Sequence, residues 1–214
     1  MSYIAAMGAS TFLDPMTVEE FFAFIEARPD GEKWELIEGV PVRDATGTWH
    51  HQRLLGRMFG ALHERSCNGP WEVLPGFCVQ LSPHDVAFPD VLVRPRGGIE
   101  MTSCICDDAI IAIEVLSPLT ADRDLRWKRQ LYPTLPSLQH YVMIAPDDVE
   151  VFAYNRIDGF TERRFGALED ILDFSSIDVS IPIAEIYVGV SASLQLRLAL
   201  LPDNGHALRV RTYP

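Results

Sequence analysis

Ala109-Ile110-Ile111-Ala112-Ile113-Glu114-Val115 is the stretch whose reading decides the fold. It is apolar except at Glu114, and isoleucine and valine dominate it. A short continuous apolar run of this kind predicts a central strand buried on both faces of an α/β sheet. Glu114 is out of place there. Burying an ionised carboxylate costs several kcal/mol unless a cation or hydrogen-bond donors compensate. It also lies near the C-terminal end of the strand, where α/β folds tend to put their sites.

Upstream, Ala87-Phe88-Pro89-Asp90-Val91-Leu92-Val93 poses the same problem at Asp90. If the two strands are neighbours, two carboxylates converge in a hard-oxygen environment suited to Mg²⁺ or Mn²⁺. Either acid alone could cap a turn or pair with an arginine; the two together favour a site. Downstream, Pro118-Leu119-Thr120 is expected to begin a helix running to about Tyr132, where Pro133 limits it. Asp124 and Lys128 stand four apart on it, sharing a face beside Trp127 and Leu131. A solvated surface ion pair is one reading of that spacing. Composition offers another, because only Lys33 and Lys128 are lysines among 18 Lys+Arg. A lysine kept where arginine is the rule suggests a role for a compact ammonium.

Further elements can be placed around this core. Thr17-Val18-Glu19-Glu20 is a capping box that predicts a first helix ended by Pro29. Trp34 to Val42 reads as two short strands folded at Glu38-Gly39. Leu54, Leu55, Met58, Phe59 and Leu62 predict a second helix over 49–66. Strands are expected at 71–81 and 87–93, a hairpin from 140–145 and 149–155, an extension at 159–165, and a short last turn after Pro182. Residues 1–190 are expected to form the domain. Residues 191–214 form an extension, read as a hairpin around Pro202-Asp203-Asn204-Gly205 or as disordered.

The 214 residues, 48% hydrophobic and 22% charged, suit a folded globular chain. No apolar run is long enough for a membrane span, and the opening residues lack a basic signal-peptide region, so a cytoplasmic protein is expected. The net charge of −12 excludes indiscriminate coating of nucleic acid. A nucleic-acid partner would need local positive charge or metal ions. Cys67, Cys78, Cys104 and Cys106 are expected to be reduced thiols, since no second close pair completes a metal site with Cys104 and Cys106. No Gly-x-Ser-x-Gly elbow surrounds Ser117, and Gly97-Gly98 is no phosphate loop. His50 and His51 diverge on a helix and cannot easily share one ion. His51 alone could touch a phosphate or a carboxylate, or simply serve the helix start. Arg123, Arg126 and Arg129 could meet a phosphate backbone or form a solvated face.

The ordered set Trp34-Glu35-Leu36-Ile37-Glu38-Gly39, His51-Gln52-Arg53, Pro89-Asp90, Glu114-Val115-Leu116-Ser117-Pro118 and Asp124-x-x-x-Lys128-x-x-x-Tyr132 resembles the Uma-type restriction endonuclease family of the PD-(D/E)XK superfamily. The similarity runs over roughly residues 15–187. It implies a restriction-endonuclease-like core with a mixed sheet flanked by helices. It further implies Asp90 and Glu114 as metal ligands, Glu35 as a possible third, and Lys128 as the catalytic lysine. His51, Asp124 and Tyr132 would support them. In the wider superfamily the lysine stands two residues after the acid, a place taken here by Leu116, and the Uma-type pattern moves it to the following helix. Two local departures are Tyr132-Pro133 after the lysine and Ala145-Pro146 where the family has Asp-Pro. The expected function is a Mg²⁺- or Mn²⁺-dependent endonuclease acting on DNA, working as a homodimer. The alternative is a non-catalytic nucleic-acid-binding or scaffold protein with a vestigial site.

Overall fold

The computed structural model describes residues 14–29, 31–44, 47–117 and 124–189, apart from the side chains of 124 and 125. The expected helix start at 118–120, Arg123, the Asp124 side chain and the 191–214 extension lie outside the described residues.

The first helix, α1 (Val18–Glu26), begins with the capping box, in which Thr17 and Glu20 exchange hydrogen bonds. Strands β1 (Trp34–Ile37) and β2 (Val40–Arg43) pair antiparallel across Glu38-Gly39. Both turn residues have positive φ, 49° and 75°, as this tight hairpin turn requires. Helix α2 occupies Trp49–Ser66, the expected span, and buries Leu54, Met58, Ala61 and Leu62 along one stripe.

The expected strand at 71–81 is two strands, β3 (Trp71–Pro75) and β4 (Cys78–Ser82). The region 87–93 likewise belongs to β5 (Asp85–Ala87) and β6 (Val91–Pro95). Strand β3 pairs with β6 and β4 with β5, so the four form one long hairpin bent in the middle. The bend falls where Gly76 takes a positive φ of 53° and Pro89 lacks the N–H of a ladder. Its two halves belong to different sheets. The outer half joins a five-stranded sheet ordered β2-β1-β5-β4-β7, where β7 is Ile105–Cys106.

The inner half joins a six-stranded mixed sheet. Its further strands are β8 (Ile111–Val115), β9 (His140–Ile144), β10 (Val151–Asn155) and β11 (Glu162–Phe165). The order is β11-β10-β9-β8-β6-β3, with β8 and β9 parallel. Strand β8 is buried at all five positions, as its apolar run required. Ile111, Ile113 and Val115 face the core that contains α2, together with β12 (Ile171–Phe174), β13 (Val179–Pro182) and the closing helical turn after Pro182. Ala112 faces the opposite core, with Leu92, Tyr132, Tyr141 and Met143. Strand alternation puts Glu114 on that second side.

The third helix differs from expectation. Its described part is a π-helical turn over Asp124–Lys128, an α turn (α3, Arg129–Leu131) and a 3₁₀ turn over Tyr132–Thr134. Pro133 removes an N–H from any continuing α-helix, and the wide turn before it breaks the i, i+4 stacking assumed for residues 124 and 128.

Candidate active site

The two strands bearing the misplaced carboxylates are neighbours. Val91 lies opposite Ile113 in the antiparallel β6–β8 pair, so continuing the register by one residue brings Asp90 alongside Glu114. Strand β1 delivers Glu35 from the other sheet, next to the hairpin bend. The candidate site therefore lies at the seam between the sheets. Glu35, Asp90, Glu114 and Lys128 are all buried there, at 0%, 5%, 3% and 1% exposure.

Lys128 binds both glutamates, its Nζ 2.8 Å from Glu35 Oε1 and 2.8 Å from Glu114 Oε1. It is not the solvated cation of the surface-pair reading. Glu35 Oε1 also accepts the Phe88 backbone N–H at 3.0 Å, which ties β1 to the bend. Tyr132 donates its hydroxyl to Glu114 Oε1 at 3.0 Å while its ring stacks on Tyr141. Burial and the nearby Glu114 push the Tyr132 phenol well above its ordinary range, so it stays protonated and remains a donor. Burial also pushes Glu114 up to about 8, with Asp90 and Glu35 acting the same way against the opposing Lys128.

Asp90 has the opposite bias. Burial opposes its charge, but the His51 hydrogen bond, Lys33 and the Val115 N–H outweigh it and hold the carboxyl below its usual range. Its Oδ2 accepts from Val115 N at 2.8 Å and meets His51 Nε2 at 3.2 Å. His51 thus does both things the sequence allowed: its backbone N–H bonds to the helix-capping Thr48, and its ring orients a carboxylate. Gly47 makes room for that ring, since a Cβ there would come within 2.5 Å of His51 Nδ1. Gln52 and Ser117 line the same cleft, which has a volume of about 290 Å³, as do Asp90, Glu114, Lys128 and His51.

Two participants escaped the sequence reading. Lys33 places its ammonium 3.1 Å from Asp44 Oδ2 and 3.5 Å from Asp90 Oδ1, over the Phe88 ring. Burial disfavours that charge, yet Asp90, Glu114 and Asp44 together raise the Lys33 pKa above its ordinary value. The signal was present in composition, because both lysines of the chain meet at these carboxylates. Asp44 carried no sequence signal. Arg126 and Arg129 are exposed. All four cysteines are free thiols.

The donor set suits a hard divalent cation. Mg²⁺ is commonly held by one or two carboxylates and otherwise keeps water or phosphate oxygens. Asp90 and Glu114 offer such a pair at the cleft wall. Among the described residues, no three His, Cys, Asp or Glu side chains form a ready-made metal cage.

The sequence and the fold have known counterparts. The chain matches the Uma2 family, described as "Putative restriction endonuclease", over residues 18–178. A crystal structure from Anabaena variabilis, described as a "putative nuclease", shares the fold with a TM-score of 0.69 at 17% identity. The likeness covers 82% of this chain and 99% of that one. No curated protein matches the sequence. Among the described residues, no helix is long and apolar enough to cross a membrane. With the family match spanning most of the chain and running through Glu35, His51, Asp90, Glu114, Lys128 and Tyr132, the protein belongs to the Uma2 family.

Proposed function

We propose that the protein is a divalent-metal-dependent endonuclease that hydrolyses DNA phosphodiester bonds. The observation that carries this reading is the convergence of Asp90 and Glu114 on one cleft, with the Lys128 ammonium 2.8 Å from Glu114. Asp90 and Glu114, with help from Glu35, would hold Mg²⁺ or Mn²⁺. Such an ion polarises a phosphate and lowers the pKa of bound water.

The side chains divide the remaining work. His51 and the Val115 N–H fix Asp90 through Oδ2, and Tyr132 orients Glu114 through Oε1. Lys128 keeps the two glutamates together and supplies a donor for charge developing on phosphate oxygens. The site's two ammoniums are outnumbered by Glu35, Asp44, Asp90 and Glu114, so a divalent ion held there would supply the positive charge that makes binding of a polyanion compatible with a chain of net charge −12. Cutting both strands of a duplex favours two sites related by a two-fold axis, hence a homodimer.

The test is cleavage of supercoiled, linear and single-stranded DNA by wild type, Asp90→Asn and Glu114→Gln, in Mg²⁺, in Mn²⁺ and in chelator. Metal-dependent cleavage lost in both variants is expected. Equal cleavage by all three proteins would refute this site. No cleavage by the wild type on any substrate would favour the non-catalytic reading.

A further inference from the structure

The chain's two lysines are unequally engaged. Lys128 has 1% of its side chain exposed and sits between two carboxylates at 2.8 Å. Lys33 has 28% exposed and faces the open cleft. Its nearer partner is Asp44 at 3.1 Å, and its contact with Asp90 Oδ1 is looser at 3.5 Å.

The two oxygens of Asp90 are also unequal. Oδ2 is held by the Val115 N–H and by His51, both fixed parts of the fold. Oδ1 has the Lys33 ammonium. An amine on a flexible stem, already bonded to Asp44, is the most readily moved of these partners.

We propose that Lys33 is a placeholder cation: it neutralises Asp90 Oδ1 in the metal-free protein, yields that oxygen to a divalent ion, and then presents its charge to the phosphate backbone of the substrate. This rests on the metal-dependent nuclease reading and adds to it a residue for substrate binding. An ammonium and a divalent cation cannot share one carboxylate oxygen without strong repulsion, so Lys33 opposes metal binding when no substrate is present. Once nucleic acid is bound, the same ammonium becomes a phosphate contact at the cleft mouth. Asp44 restrains the lysine and keeps it beside the cleft in both states.

The proposal makes two readouts move in opposite directions. Mn²⁺ affinity, measured by calorimetry on the DNA-free protein, should rise roughly tenfold in Lys33→Met, because a competing charge is gone. Affinity for a fluorescent DNA oligonucleotide, measured by anisotropy in Ca²⁺, should fall roughly three- to tenfold in the same variant. The slope of log affinity against log salt should become shallower by about one phosphate contact. Lys33→Arg retains the charge and should leave Mn²⁺ affinity near that of wild type. Lys33→Gln provides a second neutral variant if the methionine protein does not fold.

Opposite shifts in the neutral variants support the proposal. Shifts in the same direction, or no shift in either measurement, overturn it and leave the nuclease reading standing. Wild-type protein that binds no Mn²⁺ overturns the metal reading itself, and the placeholder with it.

Discussion

Replacing Lys128 by methionine should destabilise the fold strongly, and the structure sets the size of the effect. The substitution leaves Glu35 and Glu114, with side chains 0% and 5% exposed, without their shared ammonium. Removing one partner of a buried ion pair costs about 3–5 kcal/mol. Two offsets apply. Each glutamate keeps a donor at 3.0 Å, the Phe88 N–H for Glu35 and the Tyr132 hydroxyl for Glu114. Glu114, already pushed up to about 8, can also take a proton instead of standing charged. The expected loss at pH 7 is therefore near the lower end, about 3 kcal/mol. For a chain of this size that lowers Tm by about 6–12 °C. The assay is urea denaturation in chelator of wild type, Lys128→Met and the double variant Lys128→Met/Glu114→Gln. The second substitution should recover part of the loss, because one uncompensated carboxylate disappears. A Lys128→Met protein within about 1 kcal/mol of wild type would refute the reasoning and return Lys128 to the class of exposed pairs.

Three further outcomes are expected. Saturating Mn²⁺ at about 100 times its Kd should stabilise wild type by about 2.7 kcal/mol; Asp90→Asn and Glu114→Gln should lose most of that gain, and unchanged calorimetric affinity in both would remove these residues from the metal site. His140, whose Nδ1 lies 2.8 Å from Asn155 Oδ1 and whose Nε2 accepts from Ser176 N, is held below its ordinary pKa chiefly by burial, against the smaller upward pull of Asn155 and Asp173. Its contribution to stability is present above about pH 6.5 and declines as pH falls from there toward the native pKa, because the unfolded state takes up the proton first; His140→Gln should flatten that part of the Tm–pH curve, and an unaltered curve would exclude the residue as the cause. Light scattering at micromolar concentration should give a dimer mass, and a monomer would remove the two-site arrangement.

The local features of the chain were legible because local physics dictates them. Thr17 and Glu20 form their capping box, Glu38-Gly39 turns the hairpin, and α2 runs from Trp49 to Ser66 as its apolar stripe requires. Glu114 and Asp90 could be singled out because a carboxylate in an apolar strand is energetically anomalous wherever the fold puts it. What could not be read is long-range. The partners of Lys128 are 93 and 14 residues away in sequence, so local spacing could suggest only Asp124. Lys33 and Asp44 flank β1 and β2, strands of a different sheet from that of Glu114, and no periodicity connects them. The hairpin bend escaped for a related reason: Gly76 and Phe88-Pro89 fall inside the expected strands at 71–81 and 87–93, and only the pairing of β3 with β6 and β4 with β5 makes them one bend.

That bend acts as a counting device. Between Ala87 of one sheet and Val91 of the other stand three residues, Phe88, Pro89 and Asp90. Phe88 gives its N–H to Glu35, and Asp90 turns its carboxylate to His51 and Val115. Side chains alternate along a strand, so adding or deleting one residue here would reverse the phase of everything beyond it. Val91 and Val93 would leave the core they share with α2, and Leu92 would take their side. The segment should therefore accept changes of side chain far more readily than changes of length. In this protein the distance along the chain from one sheet to the next is itself an element of the site.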